Sequence, residues 1–400
     1  MRQRFRNILI FVLFLAAGAL ARERPYVILI SLDGFRWDYL DRGLSPNLEF
    51  IRRHGVSALS LEPVFPTKTF PNHLSIITGL YPENHGILFN RFRDPFSGRA
   101  YALNRPEAVR DGRWYLGEPF WQTAERQGII CASYFWPGSE IEIDYRRPTY
   151  YEPYEHERPY ETRVRGVLNW LQLPAEKRPH FITLYFDAVD SKGHRYGTGA
   201  AETDSAIVQV DRMIGLLIRG LRDLNLLNKT NIIVVSDHGM LDVSREKVIR
   251  VDEMLKGIPC TFQQSGPVVM VQPDSGYVEA AHERLQQQAR HYRVYRRQEM
   301  PDYWRFSGHP FITDLILIAD PGWSLLTSDR PLRGRATHGW DNHLLAMHGI
   351  FLAMGPNFKE GYRTGTVKNI DIYPLLCKIF DILPRQPIDG SLERIGFLLK

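Results

Sequence analysis

Several features that mark common protein classes are scarce or missing in this sequence. Cysteine occurs only as Cys131, Cys260 and Cys377. These are far apart and include no C-x-x-C, which excludes a zinc knuckle or a dithiol redox pair. In an oxidising compartment they allow one disulfide with one thiol, or three buried thiols. There is no basic tract and no arginine–aromatic stripe, so a nucleic-acid-binding module is not expected. Past residue 21 no apolar run is long enough to span a bilayer. Repeats, low-complexity segments and long linkers are also absent. The length is therefore free to build one large core, expected as a single catalytic domain over residues 22–400.

The N-terminus does carry a pattern. Arg2, Arg4 and Arg6 precede an apolar stretch over 8–15, and Ala19-Leu20-Ala21 stands before Arg22. This is the layout of a cleaved signal peptide over 1–21, which predicts a secreted or periplasmic protein. The C-terminus brings no second apolar segment, so no membrane anchor is expected after cleavage. Without the three leader arginines the formal charge of +5 falls to +2. Asn228-Lys229-Thr230 is a glycosylation sequon.

Short β-rich runs alternate with amphipathic stretches. Residues 25–32 (PYVILISL) form a continuous apolar run, as a strand buried on both faces requires. Further strands are expected at 56–61, 129–135, 180–186, 231–236, 268–271, 313–318 and 350–354. Helices are expected at 45–53, 69–80, 118–127, 202–226, 280–291 and 370–382, the second with Thr69 as N-cap and Pro71 in its first turn. This alternation predicts an α/β fold: a mainly parallel central sheet flanked by helices on both faces. The Tyr-, Pro- and Arg-rich stretch 145–160 reads as a surface insertion. Ligands of such folds bind at the carboxyl ends of the strands.

Acids and histidines fall at those ends. Asp33 follows the first strand in Leu32-Asp33-Gly34. Asp190 and His194 follow HFITLYF as D-x-x-x-H, and Asp237-His238-Gly239-Met240 follows NIIVVS. A charge placed directly after a buried strand needs a partner, and divalent metal ions suit mixed Asp and His donors. His338-Gly339-Trp340-Asp341-Asn342-His343 and His348 offer one more ligand, and spacing does not choose among the histidines. Thr69 opens a helix, where backbone N–H groups favour an anion. Read alone it is an N-cap. Beside a metal held by Asp33, Asp237 and His238 its hydroxyl could become a nucleophile.

Together, Leu32-Asp33-Gly34, Thr69-Phe70-Pro71-Asn72-His73, Asn90, Asp190-x-x-x-His194, Asp237-His238-Gly239-Met240 and His338-Gly339-Trp340-Asp341-Asn342 resemble the nucleotide pyrophosphatase/phosphodiesterase family of the alkaline phosphatase superfamily, as in its single-domain bacterial members. The resemblance implies two zinc ions. Asp190, His194 and His338 would hold one, and Asp33, Asp237 and His238 the other, beside the nucleophile Thr69. It implies that Asn90 donates to a phosphate oxygen, and that Phe70 with Tyr154 (Tyr151 being the second choice) sandwiches a nucleobase. The expected substrate is a small phosphodiester, a nucleotide by preference, cleaved through a phosphothreonine intermediate. Val189 and Thr198 stand where many relatives have proline, and neither position supplies a ligand.

Other chemistries share this core. A phosphomonoesterase would add an arginine and a third metal, which the motifs do not supply. No cysteine lies in a sulfatase C-x-P-x-R motif. A phosphonate hydrolase and a choline-headgroup phospholipid diesterase are the remaining enzymatic alternatives. A metal-binding protein without activity would have no use for Thr69 and Asn90.

Overall fold

The apolar run after Pro25 becomes the strand around which the fold is arranged. The computed structural model describes residues 24–400, so the signal-peptide expectation lies outside the described residues. Eight strands form the main sheet: β1 (Tyr26–Leu32), β2 (Val56–Ala58), β3 (Cys131–Tyr134), β4 (Tyr150–Glu152), β5 (Phe181–Phe186), β6 (Thr230–Val235), β7 (Phe351–Met354) and β8 (Tyr362–Thr364). Their order across the sheet is β8-β2-β7-β6-β1-β5-β3-β4. Every pairing is parallel except the two made by β7.

β1 is buried along its whole length. Its side chains alternate between two cores, as the two-residue period of a strand dictates. Val27 and Leu29 join a core that includes α2 (Thr69–Thr78) and α6 (Ile372–Phe380). Ile28, Ile30 and Leu32 face the other, built from α1 (Pro46–His54), α3 (Tyr160–Leu171) and α5 (Ala201–Asp223). The expected α/β architecture, with helices on both faces, is the observed one. Each fully buried Ile or Leu contributes roughly 1.5–3 kcal/mol.

Some expected elements take a different place. The strands at 268–271 and 313–318 do not enter the main sheet. They lie in a separate four-stranded antiparallel sheet, Cys260–Gln263, Val268–Pro273, Leu315–Ala319 and Tyr292–Arg296, with its own apolar cluster. Within 145–160, Tyr150–Glu152 supplies the edge strand β4. Among the described residues all three cysteines are free, with Cys131 and Cys377 buried. No described helix is long and apolar enough to cross a membrane.

Candidate active site at the carboxyl rim of the sheet

Three neighbouring strands lead into candidate metal-ligating residues. β1 runs into Asp33, β6 into Asp237 and His238, and β5 into α4 (Ala188–Tyr196), which carries Asp190 and His194 one turn apart. The register fixes their relative heights, because β1 pairs with β5 on one side and β6 on the other. Gly34 makes the junction possible. Its φ is +69°, and a Cβ there would stand 2.8 Å from the Asp190 Cα, so only glycine fits. Across this gap the Asp190 N–H donates to the Asp33 carbonyl at 3.0 Å.

Two groups of donors result: Asp33, Asp237 and His238 in one, and Asp190, His194 and His338 in the other, each with ligand atoms within 4.8 Å of one another. In the first, His238 Nε2 lies 3.5 Å from Asp33 Oδ1 and 3.1 Å from Asp237 Oδ2. In the second, Asp190 Oδ1 lies 3.4 Å from His194 Nε2 and 3.8 Å from His338 Nε2. Of the late histidines, His338 is the one that joins the cluster. His348 instead bonds Ser60 and the Asn342 carbonyl, and His343 stacks on Tyr303. The His238 and His338 rings stack with centroids 3.5 Å apart.

The donor set fits divalent cations on two independent counts. One carboxylate oxygen of each acid, Asp33 Oδ1, Asp190 Oδ1 and Asp237 Oδ2, is buried without a hydrogen-bond partner, a costly state unless a cation takes the lone pair. Each of the three histidines in these groups donates Nδ1–H to a backbone carbonyl: His238 to Gly239 at 2.9 Å, His194 to Ala336 at 2.8 Å and His338 to Thr67 at 2.7 Å. That arrangement fixes one tautomer and leaves each Nε2 lone pair for a metal.

The electrostatics agree. Burial, reinforced by the Asp190 charge, holds the Asp33 carboxyl well above its usual range. Burial and the Asp33 charge do the same for Asp237. Asp190 is pushed up to about 7 by burial and Asp187. Burial lowers His194 to about 4 and takes His238 and His338 well below the ordinary imidazole value. Acids that resist ionising and imidazoles that resist protonation form a site waiting for positive charge.

Thr69 stands at the first group, its Oγ1 3.3 Å from His238 Nε2. The N-cap expectation needs correction: the cap residue is Lys68, and Thr69 is the first residue of α2. Its hydroxyl is thereby free to face the ligand groups instead of closing the helix. Asn90 Oδ1 accepts the Phe70 N–H at 2.9 Å, which leaves the Asn90 amide N–H groups to donate elsewhere. The Phe70 ring makes an edge contact with Tyr101 at 6.2 Å. Tyr154 is 46% exposed, and its ring lies 6.2 Å from Tyr185. Tyr151 turns to Arg147 instead.

Three supporting side chains had no role in the sequence reading. Tyr185 donates its hydroxyl to Asp33 Oδ2 at 2.5 Å. His73 bridges the Ser31 hydroxyl at 2.8 Å and the Thr69 carbonyl at 2.9 Å. Lys68, lowered to about 8 by burial, bonds the His338 carbonyl. The i, i+4 spacing of Thr69 and His73 was a usable signal, whereas Tyr185 reads as core.

The sequence profile of the type I phosphodiesterase / nucleotide pyrophosphatase family matches residues 27–341. Ectonucleotide pyrophosphatase/phosphodiesterase family member 1 of Homo sapiens is 38% identical over 94% of this chain, and the match spans 42% of that longer protein. Family member 5 of Homo sapiens is 34% identical, with 95% of this chain and 79% of the relative covered. The bis(5'-adenosyl)-triphosphatase of Xenopus laevis is 35% identical, with 94% and 82% covered. The solved structure of murine family member 5 superposes with a TM-score of 0.89 at 33% identity, covering 94% of this chain and all of the other. An inactive threonine-to-alanine variant of that murine protein has been solved with AMP.

Proposed function

Because the chain belongs to the type I phosphodiesterase/nucleotide pyrophosphatase family, we propose that it hydrolyses phosphodiester or pyrophosphate bonds of nucleotides, with Thr69 as nucleophile. The observation that carries this reading is the Thr69 hydroxyl 3.3 Å from His238, in contact with a donor group built for a cation. A non-catalytic metal protein would need the donors and not the hydroxyl. The inactive murine threonine variant and the nucleotide activities named for the relatives support the same reading.

Asp33, Asp237 and His238 would hold one zinc ion, and Asp190, His194 and His338 the other, the Asp/His donor set being one zinc accepts. When bound, the two ions supply Lewis-acid stabilisation and lower the pKa of a bound hydroxyl or water. Three carboxylates against two divalent ions leave a net charge of +1, which attracts a phosphodiester. The Thr69 oxygen attacks phosphorus as its proton passes to solvent water. The phosphorus–oxygen bond to the leaving group breaks with its electron pair staying on the leaving oxygen, which departs as the anion or takes a proton from water, and the nucleotidyl group is held on Thr69. Water then cleaves the phosphothreonine and restores the hydroxyl. Asn90, oriented by the Phe70 N–H, donates to a non-bridging phosphate oxygen. Phe70 and Tyr154 take the base between them. Secretion follows from the leader pattern of residues 1–21.

Thr69→Ala should abolish nitrophenol release from the nitrophenyl ester of thymidine monophosphate while bound metal is unchanged. Near-normal turnover would sink the mechanism. A panel adding bis-nitrophenyl phosphate, nitrophenyl phosphate and nitrophenyl phosphorylcholine tests the substrate class. Preference for the monoester overturns the diesterase reading, and preference for the choline ester overturns the nucleotide.

A further inference from the structure

The nucleophile and the second donor group lie on segments far apart in the chain, and one buried threonine laces them together. Thr67 stands two residues before Thr69 and is fully buried. It bonds three successive residues of the segment that carries His338. Its carbonyl accepts the His338 Nδ1–H at 2.7 Å, its Oγ1 accepts the Gly339 N–H at 2.9 Å, and its hydroxyl donates to the Trp340 carbonyl at 3.1 Å. Lys68 adds a further bond, from its ammonium to the His338 carbonyl. The two segments run so close that a Cβ on Gly339 would stand 2.5 Å from Lys68 Cε.

Thr67 is held as firmly from its other side. The Asn72 side-chain amide donates to the Pro66 carbonyl at 3.1 Å and to the Lys68 carbonyl at 2.9 Å, and its Oδ1 accepts the Val64 N–H at 2.7 Å. Asn72 is buried in the first turn of α2. Residues 64–68 therefore have no slack between the helix that opens with Thr69 and the loop that holds His338. Buried, and bonded to main chain as both donor and acceptor, the Thr67 hydroxyl is withdrawn from substrate.

We infer that Thr67 is a positioning residue that couples the nucleophile to the second donor group. Thr69 touches the first group, its Oγ1 3.3 Å from His238 Nε2. Thr67 ties the same short segment to His338 of the second. Whatever fixes His338 thereby fixes the approach of Thr69, and loosening Thr67 loosens both. A reacting constellation tolerates errors of only about 0.5 Å before rate is lost. The inference rests on the proposed diesterase reading and adds to it the residue that keeps the two halves of the site in register.

The test uses Thr67→Val in the full protein loaded with zinc, which keeps the shape and removes the hydroxyl. The affinity of one of the two ions, read by chelator competition, should fall roughly 10- to 100-fold, and that of the other should not change. At saturating zinc, kcat for the nitrophenyl ester of thymidine monophosphate should fall by roughly tenfold or more, with KM within about threefold. Thr67→Ser, which restores the hydroxyl, should recover most of both losses. A double-mutant cycle with His338→Ala locates the effect. His338→Ala protein should keep only the ion of the first group, and adding Thr67→Val should leave the affinity for that ion unchanged. A further loss there overturns the inference. So does a Thr67→Val protein whose Tm falls while kcat or both ion affinities stay as in the unmodified protein, because a purely structural threonine would behave that way. Where Thr67→Val does not fold, Thr67→Cys, similar in size with a weaker hydrogen-bonding group, should show a smaller loss of the same ion, and no loss overturns the inference. If the unmodified protein does not hydrolyse the ester, the diesterase reading fails, and the ion titrations still decide the role of Thr67.

Discussion

Tyr185 shows how a single hydroxyl conditions the cluster. It gives Asp33 Oδ2 its bond at 2.5 Å and counters the upward push that burial exerts on that carboxyl. In Tyr185→Phe, Asp33 should hold its proton more tightly, and the proton then competes with a cation. Metal affinity, read by chelator competition, should fall roughly 10- to 100-fold; an unchanged affinity would show that the bond is ornamental. Tyr185 was illegible beforehand for a physical reason. Within FITLYF it is one more apolar-compatible residue, and only the pairing of Ser31 with Tyr185 brings it beside Asp33. Asp33 and Asp237-His238 were legible as candidate ligands because a charge immediately after a buried strand is anomalous in the linear sequence, whereas spacing alone did not separate His338 from His343 and His348. Thr69 was half legible: its position at a helix start could be read, and its freedom from capping could not.

The segment between β4 and α3 is held by an arginine rather than by its own packing. Arg163, fully buried on α3, donates to the carbonyls of Arg158 and Tyr185 at 3.1 and 3.0 Å, to the His156 carbonyl at 3.1 Å, and reaches Asp187 Oδ1 at 3.4 Å. It pins the loop bearing Tyr154 to the end of β5. Arg163→Met should release that loop and strand Asp187, costing about 3–5 kcal/mol of stability. If Tyr154 binds the base, KM for a nucleotide should rise about tenfold with kcat little changed. An unchanged KM in the folded variant would remove Tyr154 from the substrate site. At this scale the buried strands could be read because a continuous apolar run has no favourable place outside a core. The edge strand β4 could not, since Tyr150–Glu152 is half-buried and lacks such a run. Nor could the separate antiparallel sheet, because periodicity identifies a strand without naming its partner.

Taken as a whole, the molecule stores unfavourable charge at one rim, and its stability should report this. In metal-stripped protein Asp190 ionises at about 7 when folded, against 3.8 for the ordinary side chain. Its folded value is raised, so its contribution is present at low pH and lost as pH climbs from about 4 to 7. The slope is about 1.4 kcal/mol per pH unit for each such group. Bound cations remove this loss and bind better as protons leave. The gap in Tm between loaded and chelated protein should therefore widen from pH 5 to pH 8. A constant gap would show that the carboxylates and the metal are not linked.

The sheet topology also orders events in time. β7, residues 351–354, is wedged between β2 and β6 in the middle of the sheet, and His338 arrives only shortly before it. During synthesis, Asp33, Asp190, His194, Asp237 and His238 all leave the ribosome well before the strand that seals β6. A nascent chain ending near residue 330 would display an open sheet edge and a ligand group short of its histidine. Assembly of the site is thus reserved for a chain that has grown past β7, and hydrolytic competence should emerge abruptly only after that strand is made.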